Sequence, residues 1–168
     1  MALDPKYKAV VFDMDGTFMN TKVDYVKLTS AVIDELTSIG IPEDIFDVNS
    51  GSKINLDRGL DWLSSHGRSS ELEDVRDKVG KACTKVELEN SGMARPFDGA
   101  LDVLALLKKK GYKTGILTRG GHSYAARVLS LYNILGEFDA VIARDDFPEQ
   151  DSKPSPMAMR HMADSLGM

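Results

Sequence analysis

The sequence predicts an α/β fold, a parallel sheet covered by helices, with an all-helical insertion. Three observations predict it. Short β-branched, apolar runs recur at KYKAVVFD (residues 6–13), YKTGILT (112–118) and FDAVIA (138–143). Helical patterns separate these runs, and residues 20–94 show helical spacing with no convincing strand. The core is therefore expected over 1–19 and 95–168, and the insertion over 20–94.

In chain order, KYKAVVFD reads as a strand that ends abruptly in Asp-Met-Asp-Gly-Thr, and its continuous apolarity suits burial on both faces. In the insertion, Leu28, Val32, Leu36 and Ile39 stripe a helix stopped by Gly40. Leu56, Leu60 and Leu63 stripe a second helix, and Ser70 with Glu73 forms a capping box for a third carrying Leu72, Val75, Val79 and Val86. A helix over about 99–110 places Leu101, Leu104 and Leu107 on one stripe, with basic residues in its last turn and Gly111 as its stop. The next helix carries Tyr124, Val128, Leu131 and Leu135, and a last one starts at Ser155-Pro156 and runs through Met159, Met162, Ala163 and Leu166. Met157, Met159 and Met162 read as a core face. Helix, strand, helix, strand over 97–143 is a crossover unit of a parallel sheet.

Composition narrows the function. Of 168 residues, 42% are hydrophobic and 28% charged, which is globular, and the net charge is −5. With no basic run longer than Lys108–Lys110, nucleic acid and membrane are not expected partners. One cysteine, Cys83, rules out an internal disulfide, and MALDPKYK has no apolar leader core, so the expected compartment is the cytoplasm.

Asp13 and Asp15 stand where open parallel sheets place their ligands, at the C-terminal end of a strand. A bare DxDG is an ordinary surface turn; directly after a buried strand it offers two carboxylates to one reacting atom. Gly16 permits the turn and Thr17 can hydrogen-bond it. Thr118-Arg119-Gly120-Gly121 repeats the arrangement at the second strand, where a hydroxyl and the amides of a helix start suit a phosphate. Lys153, in Ser-Lys-Pro-Ser-Pro, is a cation in a stiff frame; a lone lysine before a helix is otherwise a solvated charge.

Together VVFDMDGT, ILTRGG and SKPSP resemble motifs one, two and three of the haloacid dehalogenase (HAD) superfamily. The resemblance covers the whole chain, with the insertion similar to that family's helical C1 cap and the sheet to its Rossmann-like core. It implies a phosphatase acting on a small phosphorylated metabolite, of the phosphoglycolate or sugar-phosphate class. Asp13 would be the nucleophile, Asp15 the general acid and base, and Lys153 the neutralising cation. Thr118, Arg119, Gly120 and Lys153 would hold the phosphoryl group, and Asp13 and Asp15 would hold Mg²⁺. An acid two residues after the nucleophile favours phosphate-ester cleavage, which must protonate an alkoxide, over dehalogenation.

The chain departs from the pattern in lacking the family's fourth motif, an acidic loop after a fourth strand; Asp145 and Asp146 follow the third strand and are poor substitutes. Without that strand VVFD is expected at an open edge. The simplest reading is a fragment of a longer protein; a second is a homodimer covering the edge, and a natural end at Met168 is least favoured. The alternatives are a non-catalytic domain with an incomplete metal site, and a phosphomutase. Lys53, Arg58 and His122 are weaker candidates for contact with an anionic substrate, against solvated charges as the ordinary alternative. His66, His161, Cys83 and Trp62 read as structural.

Overall fold

The structure is a computed structural model that describes residues 6–168. Part of the MALDPKYK leader reading and of the 1–19 segment lies outside the described residues.

Strands β1 (Ala9–Phe12) and β2 (Met19–Asn20) are followed by helices α1 (Tyr25–Ser38), α2 (Ser52–Ser65) and α3 (Leu72–Glu89). Next come β3 (Arg95–Pro96), α4 (Ala100–Lys109), β4 (Lys113–Leu117), α5 (His122–Ser130), β5 (Ala140–Ile142) and α6 (Pro156–Ser165). The chain forms two compact units, Val23–Asn90 and the remainder on either side of it.

The larger unit holds a parallel sheet in the order β1-β4-β5, with Val10 opposite Thr114 and Ile116 opposite Val141. Thr114–Leu117 of the central strand are buried, whereas all four residues of β1 are only half-buried. The continuous apolarity of VVFD therefore does not give burial on both faces: among the described residues β1 pairs with β4 alone and forms the sheet's margin. Ala158 and Met162 of α6, with Leu166 just after it, form a core with Leu117 and Ile142. A Cβ on Gly115 would lie 2.7 Å from Met162 Sδ, so glycine in the central strand is what allows helix and strand to approach this closely.

Several helix faces differ from expectation. A run spaced only by threes drifts about 60° per step around a helix of 3.6 residues per turn, so Leu104 and Leu107 are buried while Leu101 is exposed. α5 ends at Ser130, so Leu131 is exposed and Leu135 lies in a later turn, while Ala125 and Leu129 join Tyr124 and Val128 inside. On α6, Met162 is buried but Met159 is exposed, and Ala158 takes the core position. β2 and β3 form a two-residue antiparallel ribbon, too short to leave a period in the sequence.

The helical unit has its own core, with Leu28, Val32 and Leu36 of α1 against Leu56, Leu60, Leu63, Val75, Val79, Cys83 and Val86. The expected capping box is absent. A 3₁₀ turn, Ser69–Glu71, leads into α3 with no side-chain cap, and Arg68 binds Glu71 there at 2.6 and 2.7 Å. Trp62 stacks on His66, and Lys53 pairs with Asp57 at 2.6 Å. Among the described residues no helix is long and apolar enough to cross a membrane.

Candidate active site

β1 delivers Asp13 to the C-terminal edge of the sheet, where the chain turns sharply. The amides of Met19 and Phe18 donate to the Met14 carbonyl at 2.8 and 3.1 Å, and Gly16 adopts φ +75°, a left-handed conformation that glycine takes without penalty. Met14 and Phe18 are buried under the turn, leaving the carboxylates on either side of Met14 as its polar groups. Phe18 sits edge-to-face between Phe12 and Phe138, at 5.2 and 5.3 Å between centroids, which anchors the turn.

Three distant segments meet here. Lys153 Nζ donates to Asp13 Oδ1 in an ion pair with both side chains partly exposed, and Thr17 Oγ1 lies 3.5 Å from Asp13 Oδ2. Thr118 Oγ1 donates to Asp15 Oδ2 at 3.2 Å and accepts from the Gly120 amide at 2.9 Å. The other Asp15 oxygen, Oδ1, accepts from Tyr124 Oη at 2.6 Å and Thr21 Oγ1 at 2.8 Å. So Asp13, Asp15, Thr118, Gly120 and Lys153 come together as the sequence suggests, and Thr21 and Tyr124 join them unannounced. A buried tyrosine hydroxyl needs a partner, which is the one hint that Tyr124 offers in the sequence.

Arg119 is directed into the loop that carries Lys153. Its Nη1 donates to the Lys153 carbonyl and to Ser152 Oγ, and Nη2 lies 3.7 Å from Glu149. Arg144, which is buried, donates from Nη1 to the Arg119 carbonyl at 2.7 Å and from its amide to the Gly120 carbonyl at 3.0 Å. The Arg119 contacts tie the 118–120 turn to the 149–153 loop, and the Arg144 bonds tie that turn to the segment after β5. His161 supports the same loop, bonded to Asp151 at 2.9 Å and stacked on Phe147.

The start of α5 is occupied within the chain. Asp145 accepts from the His122 amide at 2.7 Å, and Asp146 binds the His122 ring at 2.8 Å and the Ala143 amide at 2.7 Å. The Asp146 hydrogen bond, against a smaller effect of burial, raises the His122 pKa above its ordinary 6.5. Among the described residues no group of three or more His, Cys, Asp or Glu side chains could hold a metal.

Residues 7–168 match the family model of haloacid dehalogenase-like hydrolases. The chain belongs to that family. It is 27% identical to a phosphoglycolate phosphatase of Neisseria meningitidis over 163 residues, covering 96% of this chain and 68% of that protein. It is 25% identical to an N-acetylmuramic acid 6-phosphate phosphatase of Pseudomonas aeruginosa over 158 residues, covering 92% and 66%. A crystal structure described as a haloacid dehalogenase-like hydrolase from Bacteroides fragilis shares the fold, with a TM-score of 0.60 at 22% identity over 96% of this chain and 74% of that one.

Proposed function

We infer that this HAD-family hydrolase is a phosphatase that releases phosphate from a small phosphorylated metabolite through an aspartyl-phosphate on Asp13. The observation that carries this is the contact of Lys153 with Asp13, beside an Asp15 bound on both oxygens by hydroxyl groups. In this reading a carboxylate oxygen of Asp13 attacks phosphorus and displaces the alcohol, which splits one displacement into two easier ones. Asp15 gives its proton to the leaving oxygen, then takes one from the water that cleaves the acyl-phosphate, a role worth about 10² to 10⁴ in rate. Lys153 offsets the charge on the phosphoryl oxygens, with Thr118 and Gly120 forming the wall beside them. Arg119 acts one step back, by holding the backbone of Lys153.

Mg²⁺ fits these residues because it is ordinarily bound by one or two carboxylates, with phosphate and water completing its shell. The Asp13 carboxylate and the Asp15 backbone carbonyl would hold it. Bound there, it supplies positive charge to the transferring phosphoryl group.

The named relatives act on phosphoglycolate and on N-acetylmuramic acid 6-phosphate, both small phosphate monoesters, which supports the same class here. With one cysteine in these 168 residues, Cys83, no internal disulfide can form, which supports a cytoplasmic setting. A homodimer over the β1 margin is checked by light scattering.

The test is Mg²⁺-dependent hydrolysis of p-nitrophenyl phosphate and of phosphoglycolate, with Asp13→Asn alongside. Turnover by the unchanged chain and its loss in Asp13→Asn is expected; activity that survives Asp13→Asn would sink the mechanism. The competing reading is a phosphate-binding domain without turnover. That reading predicts phosphate binding and no release of p-nitrophenol.

A further inference from the structure

Asp15 is held unequally. Its Oδ1 accepts two hydrogen bonds, from Tyr124 Oη at 2.6 Å and Thr21 Oγ1 at 2.8 Å, and its Oδ2 one longer bond, from Thr118 at 3.2 Å. Tyr124 is 1% exposed, so its ring is fixed by packing and its hydroxyl has little freedom to turn away. The ring passes over Gly120, where a Cβ would lie 2.7 Å from Tyr124 Cδ1; the glycine next to Arg119 is what leaves room for it. An oxygen that already accepts two donors has no place for a proton of its own without displacing one of them.

We propose that Tyr124, with Thr21, is the positioning residue of Asp15: the two hydroxyls occupy Oδ1 and so assign the transferable proton to Oδ2. The inference rests on the phosphatase reading above. In the first step the Asp15 Oδ2–H bond breaks as the substrate's P–O bond breaks. The proton passes to the departing alkoxide while the Asp13–phosphorus bond forms. In the second step Oδ2 takes a proton from the attacking water as the Asp13–phosphorus bond breaks, which restores both carboxyl groups and yields inorganic phosphate. Tyr124 and Thr21 keep their own protons throughout. Their contribution is to stop Asp15 from rotating and from placing its proton on the oxygen that faces the protein.

A leaving-group comparison tests this, because an aligned acid matters for an alkoxide and hardly at all for a nitrophenolate that departs unprotonated. The full chain with Mg²⁺ is assayed on glycerol 2-phosphate and on 2,4-dinitrophenyl phosphate. The parameter read is kcat/KM, which reports the phosphoryl-transfer step for both. Tyr124→Phe is expected to lower kcat/KM by roughly 10- to 100-fold for glycerol 2-phosphate and by less than about 3-fold for the dinitrophenyl ester. Thr21→Val, at a half-buried position, is expected to show the same selectivity more weakly, and it carries the test if Tyr124→Phe does not fold. Equal losses on the two esters, or no loss on glycerol 2-phosphate, overturn the proposal. Asp13→Asn and Asp15→Asn separate the two levels. Activity that persists in Asp13→Asn removes the phosphatase reading and the inference with it. If Asp13→Asn is inactive and Asp15→Asn is selective while Tyr124→Phe and Thr21→Val are not, only the inference falls.

Discussion

Replacing Gly120 by alanine sets two opposing effects against each other. Its φ is not positive, so alanine is conformationally allowed, and restricting the unfolded chain would by itself stabilise the protein by about 0.4–1 kcal/mol. Against that, the new Cβ would lie 2.7 Å from Tyr124 Cδ1, 3.0 Å from Cε1 and 3.4 Å from Thr118 Oγ1. Carbon atoms rest at about 3.5 Å or more, so the ring must retreat by roughly 0.8 Å. Tyr124 is fully enclosed, and overpacking at such a site costs about 1–3 kcal/mol. The net expectation is a destabilisation of about 1–2 kcal/mol. A retreat of that size would also stretch the 2.6 Å bond to Asp15 beyond the ordinary O–H···O range of about 2.5–3.0 Å. Urea unfolding reads the first effect, as a lower midpoint at unchanged slope, and hydrolysis of glycerol 2-phosphate reads the second. A midpoint that rises, with hydrolysis intact, would refute the steric reasoning and show that the ring has room to move.

Three further outcomes follow from the structure. Leu63→Ala, at a fully buried position in the helical unit, should cost about 2–5 kcal/mol by denaturant unfolding; under 1 kcal/mol would mean that this core collapses around the gap. Arg119→Ala should lower kcat/KM by about 5-fold through looser seating of Lys153, with Arg119→Lys restoring only part, since one ammonium cannot serve both the Nη1 partners, Ser152 and the Lys153 carbonyl, and Glu149 beside Nη2. Because Asp146 raises the His122 pKa above 6.5, that pair contributes its full stability below about pH 6.5 and loses it as pH rises through the raised value. The Tm gap between the unchanged chain and Asp146→Asn should therefore narrow from pH 6 to 8.5, and a gap independent of pH would contradict the assignment.

The strands and most helices were legible because burial imposes a period, as Leu56, Leu60 and Leu63 show. Asp13, Asp15 and Thr118 were legible because the C-terminal ends of parallel strands lie on one edge, so motifs far apart in the chain meet there, and Lys153 because SKPSP completes the same set of motifs. What stayed hidden depends on side-chain direction. Tyr124 reads as one more residue of an apolar stripe, and only its hydroxyl, 109 positions from Asp15, gives it a second role. Arg119 sits in a phosphate-loop pattern, yet its reach takes the charge to the neighbouring loop. Ser70 and Glu73 have the spacing of a capping box, but the tighter turn made by Arg68 and Glu71 begins the helix without it.

The bonds that assemble the site span 103 positions from Asp15 to Thr118, 109 to Tyr124 and 140 from Asp13 to Lys153. The helical unit, by contrast, draws its core from residues within Val23–Asn90 alone. During synthesis at about 5–20 residues per second, that unit can close its core many seconds before the segment bearing Lys153 has been made. Until then Asp13 and Asp15 hang from a strand whose partner β4 is itself late to appear. A nascent chain that has exposed residues 23–90 before Lys153 is made would therefore carry every residue of the helical core and lack the cation beside Asp13.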